Sequence, residues 1–524
     1  MLRLTRTRNA ANLVACLASG ALLISLATPA IAHSFGRVYN LPVPVWLYLY
    51  GAAAALVLSF LVAIFFLQPS PATVNKSPPQ RKVTHKRLFG VVSTRYVLAL
   101  AKLITIALLA LCIVSGFIGT HDPYKNINMS LFWIIFILGF TWLVALIGDI
   151  YAAINPWRSL CDTYTWLFQS LLSRFKSNAK KDTAIEQAPR LFRLRYPSWL
   201  SYWPSLCLYI AFIWLELFQY NTPLSLSKLL LYYTAYNLIG AALFGRYIWF
   251  KYFEWFGAFY HLVGKMGVLD IQAYKPSLIR LPFSGCIEKA YGGISALLFI
   301  LFMLSSTAFD GLHETTVWLR IFWLDFYQLI APWVGEVPLQ AYPTMRGLLP
   351  YWQAAWLVLS PFIYLLFYIV AITLMRHVTL PMNKRASNKI AIPSTYELAT
   401  RFAYSLLPIA LVYHITHYYT LIQTQGIKVI AMASDPFSKG WNLFGTAGWF
   451  RGSDLPNPET VWHVQVGLIV LGHVISVVLA HKVALSIFQN RRIAAISQIP
   501  MLILMVAFTT IGLWILSEPI KPPV

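Results

Sequence analysis

Charge is scarce in this 524-residue chain: 11% of its residues are Asp, Glu, Lys or Arg, against about 25% in an ordinary soluble domain. Acidic residues are the rarest, 18 against 41 Lys and Arg, which leaves a formal net charge of +23. With 58% apolar residues and a mean hydropathy of +0.63, the composition excludes a water-soluble globular enzyme. It also excludes a disordered chain, which needs low hydrophobicity. Cysteine is nearly absent. The five present are Cys16, Cys112, Cys161, Cys207 and Cys286, with no C-x-x-C pair among them, which argues against a disulfide framework or a zinc–thiolate site. No glycine-rich nucleotide loop and no Gly-x-Ser-x-Gly elbow occurs, so nucleotide binding and nucleophilic serine hydrolysis find no support. The chain has no internal repeat either, which weakens a transporter reading without removing it.

What is present is long apolar runs. The N-terminus reads as a signal peptide over residues 1–32: Arg3, Arg6 and Arg8 precede an apolar stretch from about Ala10 to Ala27, and Ala30-Ile31-Ala32 supplies small residues for cleavage. An uncleaved first span is the alternative. Cleavage after Ala32 makes His33 the first residue of the mature chain. A bilayer crossing takes about 20 apolar residues. Ten later runs meet this, at 45–67, 96–119, 131–153, 199–219, 229–249, 291–309, 351–375, 401–422, 462–482 and 498–516. The expected fold is therefore all-α, a polytopic membrane helix bundle forming a single domain over residues 33–524. Two further stretches, Thr316–Val334 and Tyr252–Leu269, are interrupted by charge and read as amphipathic helices on the outer and cytoplasmic faces.

The basic residues fix a direction. Of the 41 Lys and Arg, 28 fall in the five connections predicted to be cytoplasmic, and the outer segments hold nine basic and nine acidic residues. This follows the positive-inside rule. It predicts a multi-pass membrane protein with both mature termini on the outer side, and it removes nucleic acid as a partner. The expected partners are the bilayer and a small hydrophobic substrate, with a further subunit left open.

The outward face is rich in histidine: seven of the eleven, including His33, His313, His414, His417, His463 and His473, map to it. His414 and His417 lie three residues apart and share a helix face. His473 is predicted at a depth similar to His414, on the next span, and His463 stands at that span's outer mouth. Imidazoles with a nearby carboxylate suit zinc or copper. A terminal His33 would add an amine–imidazole chelate that prefers copper. His33, His414, His417, His463 and His473 are thus candidate metal ligands, and Asp310 and His313 the candidate catalytic pair. Two alternatives stand beside this. The histidines could simply hydrogen-bond neighbouring helices, or His414 or His417 could pair with His473 across a b-type haem, with Gly467 and Gly472 making room for the macrocycle. Glu216 is a candidate supporting carboxylate.

Several segments carry a resemblance: His33-Ser34-Phe35-Gly36, Leu41-Pro42-Val43-Pro44-Val45-Trp46-Leu47, Phe309-Asp310-Gly311, His417-Tyr418, Ser434 through Thr446, and Gly472-His473-Val474 through Ala480-His481. Together they resemble a family of bacterial multi-spanning membrane proteins, some labelled fenitrothion hydrolase, and they run across nearly the whole mature chain. The resemblance implies hydrolysis of an organothiophosphate triester, with release of a nitrophenol by water attack at phosphorus. A bound metal would serve that chemistry by lowering the pKa of its water. The competing expectation is a copper-handling or haem-containing redox protein.

Overall fold

Backbone polar groups inside lipid must be satisfied within their own segment, so apolar runs of this length become helices. The computed structural model describes residues 44–67, 81–82, 93–175, 194–219, 221–271, 278–288, 292–385, 392–449, 457–488 and 490–518. His33 and the signal peptide lie outside the described residues. Among the described residues nine helices are long and apolar enough to cross a membrane, and the chain is an all-α polytopic bundle. The only strands among them form a small antiparallel sheet of two-residue pieces at Arg81–Lys82, Leu269–Asp270 and Leu278–Ile279.

In chain order the helices used below are α1 Val45–Phe66, α2 Ser93–Ile118, α3 Ile127–Ile147, α4 Pro156–Phe175, α5 Trp203–Phe218, α6 Pro223–Phe244, α7 Arg246–Tyr252 and α8 Trp255–Gly264. They continue with α9 Gly293–His313, α10 at 316–334, α11 Pro338–Arg385, α12 Thr395–His417, α13 Pro458–Phe488 and α14 Arg491–Ser517. The bundle is organised around α9 and α12, whose most apolar stretches are 83% and 78% buried by protein, while that of α2 is 6% buried and faces outward.

Residues that the charge map assigns to one side of the membrane do share one end of the bundle. At the expected outer end the Tyr48 hydroxyl meets His463 Nε2 at 3.2 Å, and Ser438 donates to the Lys125 carbonyl at 2.8 Å. At the other end Arg491 donates to the Leu67 carbonyl at 3.3 Å, and Lys265 pairs with Glu288 at 2.8 Å.

Four sequence expectations are corrected. The third span stops at Ile147 rather than 153, because Gly148 adopts φ +126°. A Cβ there would stand 1.9 Å from the Leu269 carbonyl oxygen, so only glycine fits. The run at 229–249 is two elements: α6 starts earlier, at Pro223 behind a Thr222–Ser225 capping box, and ends at Gly245, whose φ is +88°. At 22 residues α6 is about 33 Å long, enough to span, although Thr234 and Asn237 make it less apolar than the nine. Helix α10 does not lie alone on the outer face. It folds back through Gly335 against the start of α11, where Phe322, Ala341 and Met345 form a second small core. Helix α11 is 48 residues, about 72 Å, far longer than the roughly 30 Å hydrocarbon layer.

The fourth correction concerns α8, expected on the cytoplasmic surface. Eight of its ten residues are buried. Trp255 stacks on Tyr209 at 5.0 Å and Phe256 packs on Phe132 and Phe136, while Tyr260 donates to the Phe136 carbonyl at 2.7 Å, midway along α3. The helix is plugged into the bundle. Its N-cap, Glu254, is completely buried and accepts from Tyr151, Tyr233, Asn155 and the Gly257 amide at 2.7–3.2 Å. The charge that looked like a surface mark is satisfied internally.

Candidate functional site

Two helix ends build the cluster. Asp310 lies on the last turn of α9, His414 and His417 on the last turn of α12, and Tyr418 immediately after it. His417 Nε2 and Asp310 Oδ2 are 2.8 Å apart, and the Tyr418 hydroxyl donates to the same oxygen at 2.8 Å. A carboxylate accepts only, so in the neutral ring the proton is assigned to Nε2 and Nδ1 is left as the acceptor. A Cβ on Gly311 would stand 3.8 Å from that nitrogen but only 2.8 Å from Ile515 Cγ2, so the glycine lets α14 pack closely beside the ring. The His417 and Asp310 side chains retain 18% and 15% of their exposure. They are shielded but reachable.

On its inner side the cluster borders a cavity of about 30 Å³ lined by Glu216, Asp310, His414, Tyr418, Ser306 and Tyr260, with aromatic walls from α5 and α8. A water needs roughly 10–15 Å³ by this measure, so the space suits one or two waters. A drug-sized ligand takes hundreds of Å³ and cannot enter it. Burial, reinforced by the Asp310 and Glu216 carboxylates, drives the Tyr418 phenol well above its ordinary pKa, so it stays a neutral donor. Glu314, just past α9, is raised by burial, with the neighbouring His313 charge opposing the shift.

The other expected site residues divide. His414 joins the cluster: it lines the cavity, and its Nδ1 is buried with no partner among the described residues. The hydrogen bonds of His313 go to the main chain and not to the carboxylate. Its Nδ1 is tied to the Asp310 main-chain carbonyl at 2.7 Å, and its ring is stacked on Phe309. The imidazole that meets the Asp310 carboxylate is that of His417 rather than that of His313. His463 is exposed and held by Tyr48 and the Glu459 carbonyl. At ten residues' remove, about 15 Å along α13, it cannot share a metal with His473. His473 itself is 2% exposed, donates to the Ile469 carbonyl at 2.8 Å and leaves Nε2 without a partner among the described residues.

Metal and haem can be tested against these positions. Among the described residues no three or more His, Cys, Asp or Glu side chains converge closely enough to hold a metal ion, whereas zinc sites draw at least three protein ligands. At Gly472 a Cβ would fall 2.3 Å from Val412 of α12, so the two helices are in direct contact there, whereas nothing lies within 4 Å of a Cβ on Gly467. The residues that sequence reasoning missed are Tyr418 and Gly311, which both sit inside the resembling segments but carry no signal of which helices meet. No protein-family model, curated protein or solved structure matches the chain.

Proposed function

We propose that the protein is a membrane-embedded acid–base hydrolase that attacks a lipid-soluble organophosphorus triester at the outward-facing end of its bundle. The observation that carries the proposal is the Asp310–His417 pair, an ionisable couple held at 2.8 Å within a membrane bundle, where such groups are expensive to keep and mark function. The resemblance to fenitrothion hydrolase-labelled proteins supplies the substrate class. The positive-inside pattern supports a periplasmic site in a bacterial inner membrane.

The chemistry follows the logic of an oriented base. His417 Nδ1 removes a proton from water as the water oxygen bonds to phosphorus. The phosphorus–aryloxide bond breaks and the nitrophenolate leaves with the bonding pair. Asp310 stabilises the imidazolium and keeps the ring in register, and Tyr418 holds the carboxylate. The proton then passes from His417 to solvent. The inner cavity is sized for water, so the triester approaches from the open face of His417. An aryl dialkyl ester dissolved in lipid is suited to that approach.

Tyr418→Phe is expected to lower kcat by about tenfold, since a hydrogen bond to a charged group contributes about 1.5–3 kcal/mol, with KM little changed. An unchanged kcat would remove Tyr418 from the site. Turnover is also expected to survive exhaustive treatment with a chelator, because each step above uses side chains alone. A second reading, copper or zinc handling, is favoured by the orphaned nitrogens of His414 and His473, to which His33 would be added. Loss of turnover on chelation, with recovery on adding copper or zinc, would select it.

A further inference from the structure

At the opposite end of the bundle α1 and α13 enclose an open groove of about 420 Å³. Its walls are apolar: Leu58, Val62 and Phe66 from α1, with Val474 and Val478 from α13. Leu58, Val62 and Phe66 are 62%, 47% and 79% exposed, so none of the described residues covers them. Two cations flank the mouth. Lys482 is exposed and follows Val474 and Val478 at successive four-residue steps, which places it on the same stripe of α13 one turn nearer the end. Arg491, also exposed, donates to the carbonyl of Leu67, the last groove residue. Neither cation forms an ion pair among the described residues. No acidic residue occurs in α1 or α14, and the only one in α13 is Glu459 at its far end.

We propose that this groove binds one anionic phospholipid, its acyl chain along α1 and α13 and its phosphate between Lys482 and Arg491. An apolar channel opening on unpaired cations matches that amphiphile, and basic pockets between membrane helices commonly take such headgroups. By the charge map the lipid belongs to the cytoplasmic leaflet, so this site is separate from the Asp310–His417 cluster and independent of its chemistry.

The test is native mass spectrometry of the full chain released from nanodiscs of equimolar phosphatidylglycerol and phosphatidylcholine. The wild type is expected to retain one phosphatidylglycerol, favoured about thirtyfold over phosphatidylcholine through the two near-surface cations. Lys482→Gln with Arg491→Gln should abolish that preference. Val62→Trp, at an exposed position, should fill the groove and remove both lipids while the far-ultraviolet circular dichroism spectrum stays helical. Equal retention of the two lipids by the wild type, or an unchanged preference in the double variant, would overturn the proposal.

Discussion

Alanine in place of His417 is expected to lower hydrolysis of an aryl phosphotriester by about 10²–10⁴-fold, the range associated with loss of a positioned general base. That is a rise of roughly 3–5 kcal/mol in the barrier. Asp310→Asn should fall in the same range, because an amide can offer its NH₂ to Nε2 and so favour the tautomer with its proton on Nδ1, where the base is needed. The two changes combined should cost little more than either alone, since the pair acts as a unit. His313→Ala provides the contrast. Its ring serves the main chain and Phe309, so stability should suffer more than kcat. Steady-state rates of nitrophenol release for the four proteins distinguish these outcomes. A His417→Ala protein that turns over like wild type would contradict the assignment.

The largest effect on stability is expected at Glu254. Truncation to alanine leaves Tyr151, Tyr233, Asn155 and the Gly257 amide without their acceptor. Unsatisfied buried donors cost about 1–3 kcal/mol each, and removing one side of a buried charged cluster costs about 3–5 kcal/mol. Thermal unfolding in detergent should therefore show a large fall in Tm, or failure to accumulate folded protein. Glu254→Gln keeps the shape and one good acceptor oxygen, and should recover much of the loss. A Glu254→Ala protein as stable as wild type would mean that α8 is held by its aromatic packing alone.

Glu254 shows that a charge in an apolar stretch need not mark a surface. The apolar spans were legible because lipid leaves the backbone no alternative to a helix, and the sorting of cations gave an expected orientation. The segment around α8 broke that logic. Glu254, His261 and Lys265 interrupt it, and in a sequence such interruptions suggest a surface. In the fold Glu254 is satisfied by four donors, and Lys265 pairs with Glu288 at 2.8 Å, so a polar signature belongs to an internal plug. At the site, the three-residue spacing of His414 and His417 was readable, as was a carboxylate near the end of α9. Their meeting was not: Asp310 and His417 are 107 positions apart, and spacing along the chain carries no information on which helix ends pack together. The same gap separated His473 from its supposed partners. Helix α13 touches α12 through Gly472 and Val412, a close approach that leaves each imidazole in its own environment.

The most direct measurement is release of the nitrophenol from fenitrothion by the detergent-purified, chelator-treated protein, followed by absorbance beside His417→Ala prepared identically. Metal-independent turnover in the wild type, reduced at least a hundredfold in the variant, is the result predicted from an Asp310-oriented imidazole. Absence of turnover in the wild type, or equal rates in the two proteins, would contradict it.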